Sequence, residues 1–156
     1  MRGQRARGWA RAALVAVAVL AADQAAKALV RSSMRVGERR DLVAFVDLQR
    51  TRNDGVAFGA LGGGGLVVGL VVAAALAALL VYFAVNAGKP LAWLPTGMLI
   101  GGALGNVVDR VREGAVTDFV KLPHWPAFNV ADMAITVGVV LLLIVIERDD
   151  GAARRT

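Results

Sequence analysis

At 156 residues the chain has room for one domain, and its 57% hydrophobic content and mean hydropathy of +0.60 exceed the roughly 45–50% apolar share of a soluble domain. The net charge is +6, but the arginines flank apolar blocks and no basic helix carries interleaved aromatics, which points to lipid headgroups and excludes nucleic acid. With no cysteine and His124 as the only histidine, disulfides, a cysteine nucleophile and a zinc-protease ligand set are excluded, and no metal or other cofactor is expected.

The apolar residues gather in blocks close to the 20-residue length that spans a hydrocarbon core. The first covers about 8–30. An arginine-rich start followed by apolar and small residues also fits a signal peptide, but apolar character resumes beyond Asp23 and Lys27 and three more blocks follow, so a retained helix is expected. Residues 31–63 form the one long polar segment, with strand-like runs at 42–46 and 57–61, and should make a small sheet on the membrane surface. A second helix is expected at about 66–85, a tight turn at 86–90 and a third helix at about 91–108. A polar loop over 109–128 leads to a fourth helix at about 130–146. The expected fold is a single membrane domain over 1–156, all-α with four transmembrane helices and a β-rich segment between the first two.

An even number of spans puts both termini on one side, yet loop charge does not choose that side. The N-tail, the 86–90 turn and the C-tail carry eight Lys/Arg and the opposite loops nine, although four arginines in the first eleven residues favour a cytoplasmic start.

Ionisable groups inside a membrane cost about 2.5–3.5 kcal/mol each on the insertion scale, so each needs a reason. Asp23 and Lys27 stand four apart; they can neutralise each other or face a polar site. The run Gly101-Gly102-Ala103-Leu104-Gly105 lets another backbone approach. Beyond it, Asn106, Asp109 and Arg110 share a face; an interfacial cap explains the last two as well as a site does. Asn129 can cap the fourth helix and place Asp132 in its first turn, where free N–H groups favour a carboxylate. Asp118 lies in an apolar run. If the four spans are right, Asp23, Asn53, Asn106, Asp109, Arg110, Asp118, Asn129 and Asp132 all fall at one membrane surface.

The catalytic groups on offer are mainly carboxylates. Two held close together cannot both ionise easily, so one keeps a proton while the other activates water. Asp132, at a helix start, suits the base, and Asp118, in apolar surroundings, suits the acid. A proton-coupled transporter using Asp23, Asp109 and Asp132 as an acidic relay is the main alternative, but it would place its acids at mid-membrane. A serine–lysine peptidase built on Ser32 or Ser33 with Lys27 leaves the aspartates unexplained.

Four stretches, in order, resemble the bacterial lipoprotein signal peptidase (signal peptidase II) family of aspartic endopeptidases. They are Asp23-Gln24-Ala25-Ala26-Lys27, Arg52-Asn53-Asp54-Gly55-Val56-Ala57-Phe58, Gly101 to Arg110 running on to Asp118-Phe119, and Phe128-Asn129-Val130-Ala131-Asp132. The resemblance implies four transmembrane helices in the cytoplasmic membrane, cytoplasmic termini and an extracytoplasmic site. It also implies removal of the signal peptide of prolipoproteins just before a cysteine that carries diacylglycerol, and inhibition by globomycin-type cyclic peptides. Asp118 and Asp132 match the catalytic aspartates; Asp23, Asn53, Gly55, Asn106, Asp109, Arg110 and Asn129 match residues that shape the site or hold substrate. Expected partners are diacylglyceryl-modified prolipoproteins and membrane lipid, with the enzyme itself a monomer. Val56 and Thr117 depart from the family's usual alanine and valine, and the stretch from Asp118 to Asp132 is short.

Overall fold

A computed structural model describes residues 2–54 and 64–153. In chain order it contains α1 (Arg2–Ser33), β1 (Arg39–Val43), β2 (Val46–Asn53), α2 (Gly64–Asn86), α3 (Trp93–Glu113), β3 (Val116–Lys121) and α4 (Val130–Ala153). Each helix runs past the apolar block that predicts it. The additions at the start of α1 and the end of α3 are rich in arginine, a good helix former that ends a lipid span without ending a helix. Arg2–Ser33 and Val130–Arg148 are long and apolar enough to cross a membrane by length and composition. Leu14, Val17, Val81, Val85, Val140 and Leu143 all stand exposed on outer helix faces, an apolar surface suited to lipid.

The sheet differs from expectation. Its order is β1-β2-β3, antiparallel throughout, and its third strand comes from the segment read as a polar loop between the last two helices. The run Val116-Thr117-Asp118-Phe119-Val120 is therefore strand, with Thr51 opposite Asp118 and Arg52 opposite Thr117. The reason lies in its long-range partners. Pairing to β2 satisfies the backbone of an apolar stretch, and Phe119 packs with Val30 and Met34 at the end of α1. The expected strand at 57–61 lies outside the described residues.

Small residues set the spacing of the bundle. A Cβ built on Gly97 would stand 2.6 Å from the Ala12 carbonyl oxygen, and one on Gly101 2.6 Å from that of Ala16. Gly97 and Gly101 thus form one side of a seam whose other side is Ala12 and Ala16, each pair four residues apart on its helix, so the α1 and α3 backbones touch. Gly102 turns toward α4, where an added Cβ would meet the Ala131 carbonyl oxygen at 2.6 Å. Those approaches press α1 against the first half of α3 and bring the start of α4 against its middle.

Several arginines counted as flanking charge are helix caps. Arg5 Nη2 donates to the Val85 carbonyl at 3.2 Å, near the end of α2, and Arg50 Nη1 donates to the Met34 carbonyl at 2.6 Å, just past α1. Both take up carbonyls a helix leaves unpaired at its C-terminus, where its dipole also favours a cation.

Gly101→Val should lower the thermal unfolding temperature of the purified protein by the equivalent of about 1–3 kcal/mol, the usual cost of overpacking. Gly3→Ala, where an added Cβ meets nothing within 4 Å, should stay within about 0.5 kcal/mol of the parent. Equal unfolding temperatures for the two variants would contradict the seam.

Candidate active site

The polar residues of the last third of the chain meet where α4 starts, and the first step in assembling them is local. The Asn129 side chain accepts the Asp132 N–H through Oδ1 at 2.9 Å, and Asp132 Oδ2 accepts the Asn129 N–H at 3.1 Å. This reciprocal arrangement is a capping box, made here by asparagine and aspartate. It fixes Asp132 in the first turn, leaves its Oδ1 to accept from Asn106 Nδ2 at 2.8 Å, and stations the Asn129 amide at the head of the helix.

Tertiary pairing brings Asp118 to the same place. After β3 the chain folds back, so that Phe128 N donates to the Val120 carbonyl at 3.0 Å and Val120 N to the Phe128 carbonyl at 2.8 Å. Asn129 follows directly and lies against β3, where its Nδ2 donates to Asp118 Oδ1 at 2.7 Å. Asn53 at the end of β2 donates to Asp118 Oδ2 at 2.9 Å. Both carboxylates thus bind one residue, Asn129, which is itself fully buried. Burial pushes the Asp118 carboxyl above the usual aspartate range; the negative charge of Asp132 adds to that, while the amides of Asn53 and Asn129 oppose it.

Beneath this pair lies a buried charge cluster. Lys27 Nζ contacts Asp23 Oδ2 at 2.8 Å, Asn106 Oδ1 at 2.9 Å and Asp109 Oδ2 at 3.2 Å, with Lys27 and Asp23 at 0% exposure and Asp109 at 1%. An ammonium has three donors, and all are used. Asp23 Oδ1 accepts the N–H of Ala131 at 2.9 Å, a helix-start donor that no capping side chain on α4 reaches, and Asp109 Oδ2 accepts that of Thr117 at 2.9 Å. Asp23 and Lys27 are therefore more than a self-neutralising pair: they join α1 to α3 and, through Asp23, to α4. Asp109 ties α3 to β3.

Of the residues singled out from sequence, the structure brings together Asp23, Asn53, Asn106, Asp109, Asp118, Asn129 and Asp132. Arg110 follows on the same helix and donates from Nη1 to the Asn106 carbonyl at 3.3 Å. Gly55 lies outside the described residues. Lys27 and Gln24 belong to the cluster without having been chosen as site residues. Gln24 Nε2 donates to the Gly105 carbonyl at 3.1 Å and to Asp109 Oδ1 at 3.1 Å. The signal for both was the Asp23–Lys27 spacing, which placed them on or beside a face that had to be polar. Ser32 and Ser33 are the last residues of α1, and both hydroxyls donate to the Leu29 carbonyl.

Two openings reach the carboxylates. A cavity of ≈310 Å³ next to Asp118 is walled by Gln49, Thr51, Arg52, Asn53 and Lys121 among others. A groove of ≈370 Å³ next to Asp132 is walled mainly by Leu122, Trp125, Phe128, Met133 and Val137. One is polar, the other apolar. A larger cavity of ≈490 Å³, between α2, α3 and α4, is lined by aliphatic side chains and Tyr82 and contains neither carboxylate.

The profile of the family described as Signal peptidase (SPase) II matches residues 15–147. A lipoprotein signal peptidase of Moorella thermoacetica is 41% identical over 83% of this chain and 87% of its own length, and one of Halothermothrix orenii is 36% identical over 84% of this chain and 91% of its own. A solved bacterial membrane enzyme superposes with a TM-score of 0.81 at 32% identity, covering 86% of this chain and 91% of the solved one. Residues from all four motifs, among those described, meet in one polar cluster, and the chain belongs to the signal peptidase II family.

Proposed function

We propose that this chain removes the signal peptides of prolipoproteins as an aspartic endopeptidase, with Asp118 and Asp132 as its catalytic pair. The observation that carries the reading is the Asn129 bridge, in which one buried residue donates to Asp118 Oδ1 at 2.7 Å and to Asp132 Oδ2 at 3.1 Å. Two carboxyls so held divide the work. Asp132, in the first turn of α4, accepts a proton from water, and the hydroxide adds to the scissile carbonyl carbon. Asp118, whose burial favours its protonated form, delivers a proton to the departing amine as the C–N bond breaks. Asn53, Asn106 and Asn129 line or support the substrate's path, Gly55 and Arg110 are assigned to substrate binding by their family motifs, and Asp23 and Asp109 hold the helices that carry the site.

The same geometry favours a lipidated substrate. The polar opening beside Asp118 suits an extended peptide, and the apolar groove beside Asp132 suits an acyl-bearing cysteine, which agrees with cleavage just before a diacylglyceryl-modified residue. The protein is read as a monomer in a bacterial cytoplasmic membrane, crossing it with α1, α2, α3 and α4, its termini cytoplasmic and its carboxylates at the outer surface. The apolar outer helix faces support that placement. An acidic relay for transport finds no support, since the acids gather at the end of the bundle where α4 starts.

Asp118→Asn and Asp132→Asn should each lower cleavage of a purified diacylglyceryl-modified precursor by about 10³-fold, within the range for losing a general acid or base. Ser32→Ala/Ser33→Ala should cleave at the parental rate. Cleavage that survives either aspartate change would remove the assignment.

The pH profile carries a second prediction. If Asp118 is the acid, the alkaline limb of activity reports loss of its proton and lies above the ordinary aspartate range, because burial favours the neutral form. The Asn53 hydrogen bond favours the ionised form, so Asn53→Ala should move that limb to higher pH, whatever it does to the maximum rate. As the limb belongs to the coupled pair, it is read from the full profile of kcat/KM. A limb that stays in place or moves down would contradict the role given to Asp118.

A further inference from the structure

An apolar slot runs down the bundle from the carboxylates, and the cleavage chemistry does not use it. Its ≈490 Å³ lie between α2, α3 and α4, and its walls are aliphatic apart from Tyr82. On α4 the wall is Ile135, Val139, Leu142 and Ile146, spaced four, three and four apart, and on α3 it is Leu99 and Ala103. Both stripes lead to the candidate site. Ile135 follows Asp132 by three residues and Ala103 precedes Asn106 by three, about one helical turn in each case. Asn106 Nδ2 donates to Asp132 Oδ1 at 2.8 Å, so that hydrogen bond heads the slot.

The width of the slot selects its occupant. From Ile135 to Ile146 a helix rises about 16 Å at 1.5 Å per residue, which gives the slot a mean cross-section of roughly 30 Å². A helix about 10–12 Å across with its side chains needs about 80–110 Å². One extended hydrocarbon chain, packed at carbon contacts of about 3.5–4.0 Å, fits.

What comes with the chain decides its source. The group at its head must lie beside Asp132. A phospholipid would set a phosphate against that carboxylate, a repulsive contact, whereas a diacylglyceryl thioether carries no charge. Diacylglycerol also has two chains, and α4 offers two faces to them. At about 3.6 residues per turn, Asp132 falls between the Ile135–Val139 stripe and the Met133, Thr136 and Val137 face that walls the groove described above. Two apolar channels therefore diverge from one carboxylate.

We propose that the slot binds one acyl chain of the substrate's diacylglyceryl cysteine while the groove takes the other. This deepens the peptidase reading and rests on it. Ala78 and Ala103 keep the slot open, and Leu142 and Ile146 receive the far end of the chain. A substrate seated in this way sits astride the start of α4, which holds the lipidated cysteine, and with it the scissile bond, against Asp132.

The test uses a diacylglyceryl-modified precursor whose acyl chains end in a photoactivatable diazirine, bound to the purified full chain in phosphatidylcholine nanodiscs. Labelling mapped by mass spectrometry should fall on Leu142 or Ile146 for one chain and on the exposed Val140 or Ile144 for the other. Ala103→Leu narrows the slot and should cut the first labelling about tenfold, the usual discrimination of an apolar pocket that is one methylene too small. The second labelling should stay. Ala78→Leu narrows the slot from the α2 side and keeps the test available if Ala103→Leu does not accumulate. Labelling confined to Val140 and Ile144 in the parent would overturn the slot. Labelling of Leu142 and Ile146 by a diazirine-bearing phosphatidylcholine, undiminished by unlabelled precursor, would overturn the substrate assignment in favour of a bilayer chain. Labelling requires binding but not cleavage, so the two readings fail separately: a precursor that labels the slot and is never cut by the parent would sink the peptidase reading alone.

Discussion

A buried ammonium must have all its donors satisfied or it cannot remain charged in an apolar bundle, and Lys27 meets that demand with acceptors from two helices. Asp23 shares its helix; Asn106 and Asp109 come from α3. Because Asp23 also accepts a helix-start N–H from α4 and Asp109 accepts a strand N–H from β3, satisfying one cation sets the relation of four elements. Removing a partner from such a cluster typically costs about 3–5 kcal/mol, since it strands a charge. The close α1–α3 seam makes the cluster possible, as Gly105 leaves space against the Asp23 carboxylate that any larger residue would fill.

The candidate catalytic pair stands on that foundation. Asn106 accepts from Lys27 and donates to Asp132, so the buried charge is linked to the Asp132 carboxylate by a single side chain. Asn129 performs the parallel task between Asp132 and Asp118. Two asparagines suit these posts because each amide offers a donor and an acceptor at fixed separation without adding charge. An acid in either place would add to the negative charge around Asp118 and Asp132.

Opposite ends of the bundle solve opposite problems. Where α4 begins, helix-start N–H groups are taken up by the protein's own carboxylates and amides. Where α3 begins, no side chain does so, and the neighbouring groups are cations. There Pro95 has no N–H to satisfy, and Leu94 and Thr96 donate to the Leu91 and Ala92 carbonyls. The arginines also divide by use: Arg5 and Arg50 end helices, whereas Arg11 sits over the Trp93 ring.

Much of this was legible in the chain itself. Apolar blocks of membrane length located all four helices, small residues located the close seam, and the cost of polar groups in lipid singled out Asp23, Asn106, Asp109, Asp118, Asn129 and Asp132 before any contact was known. Local rules also reached the Asn129–Asp132 cap, because both residues belong to one helix start. They could not reach β3, whose strand character comes from β2 and from Phe119 packing on α1, both distant in sequence. Nor could they show that Lys27 serves three acceptors or that Asn129 joins the two carboxylates. Periodicity and composition determined which residues had to be polar and roughly at what depth. Tertiary structure alone decided which of them touch, since hydrogen-bond partners across helices depend on backbone spacing to within an ångström, and that spacing arises only when glycine and alanine faces close together.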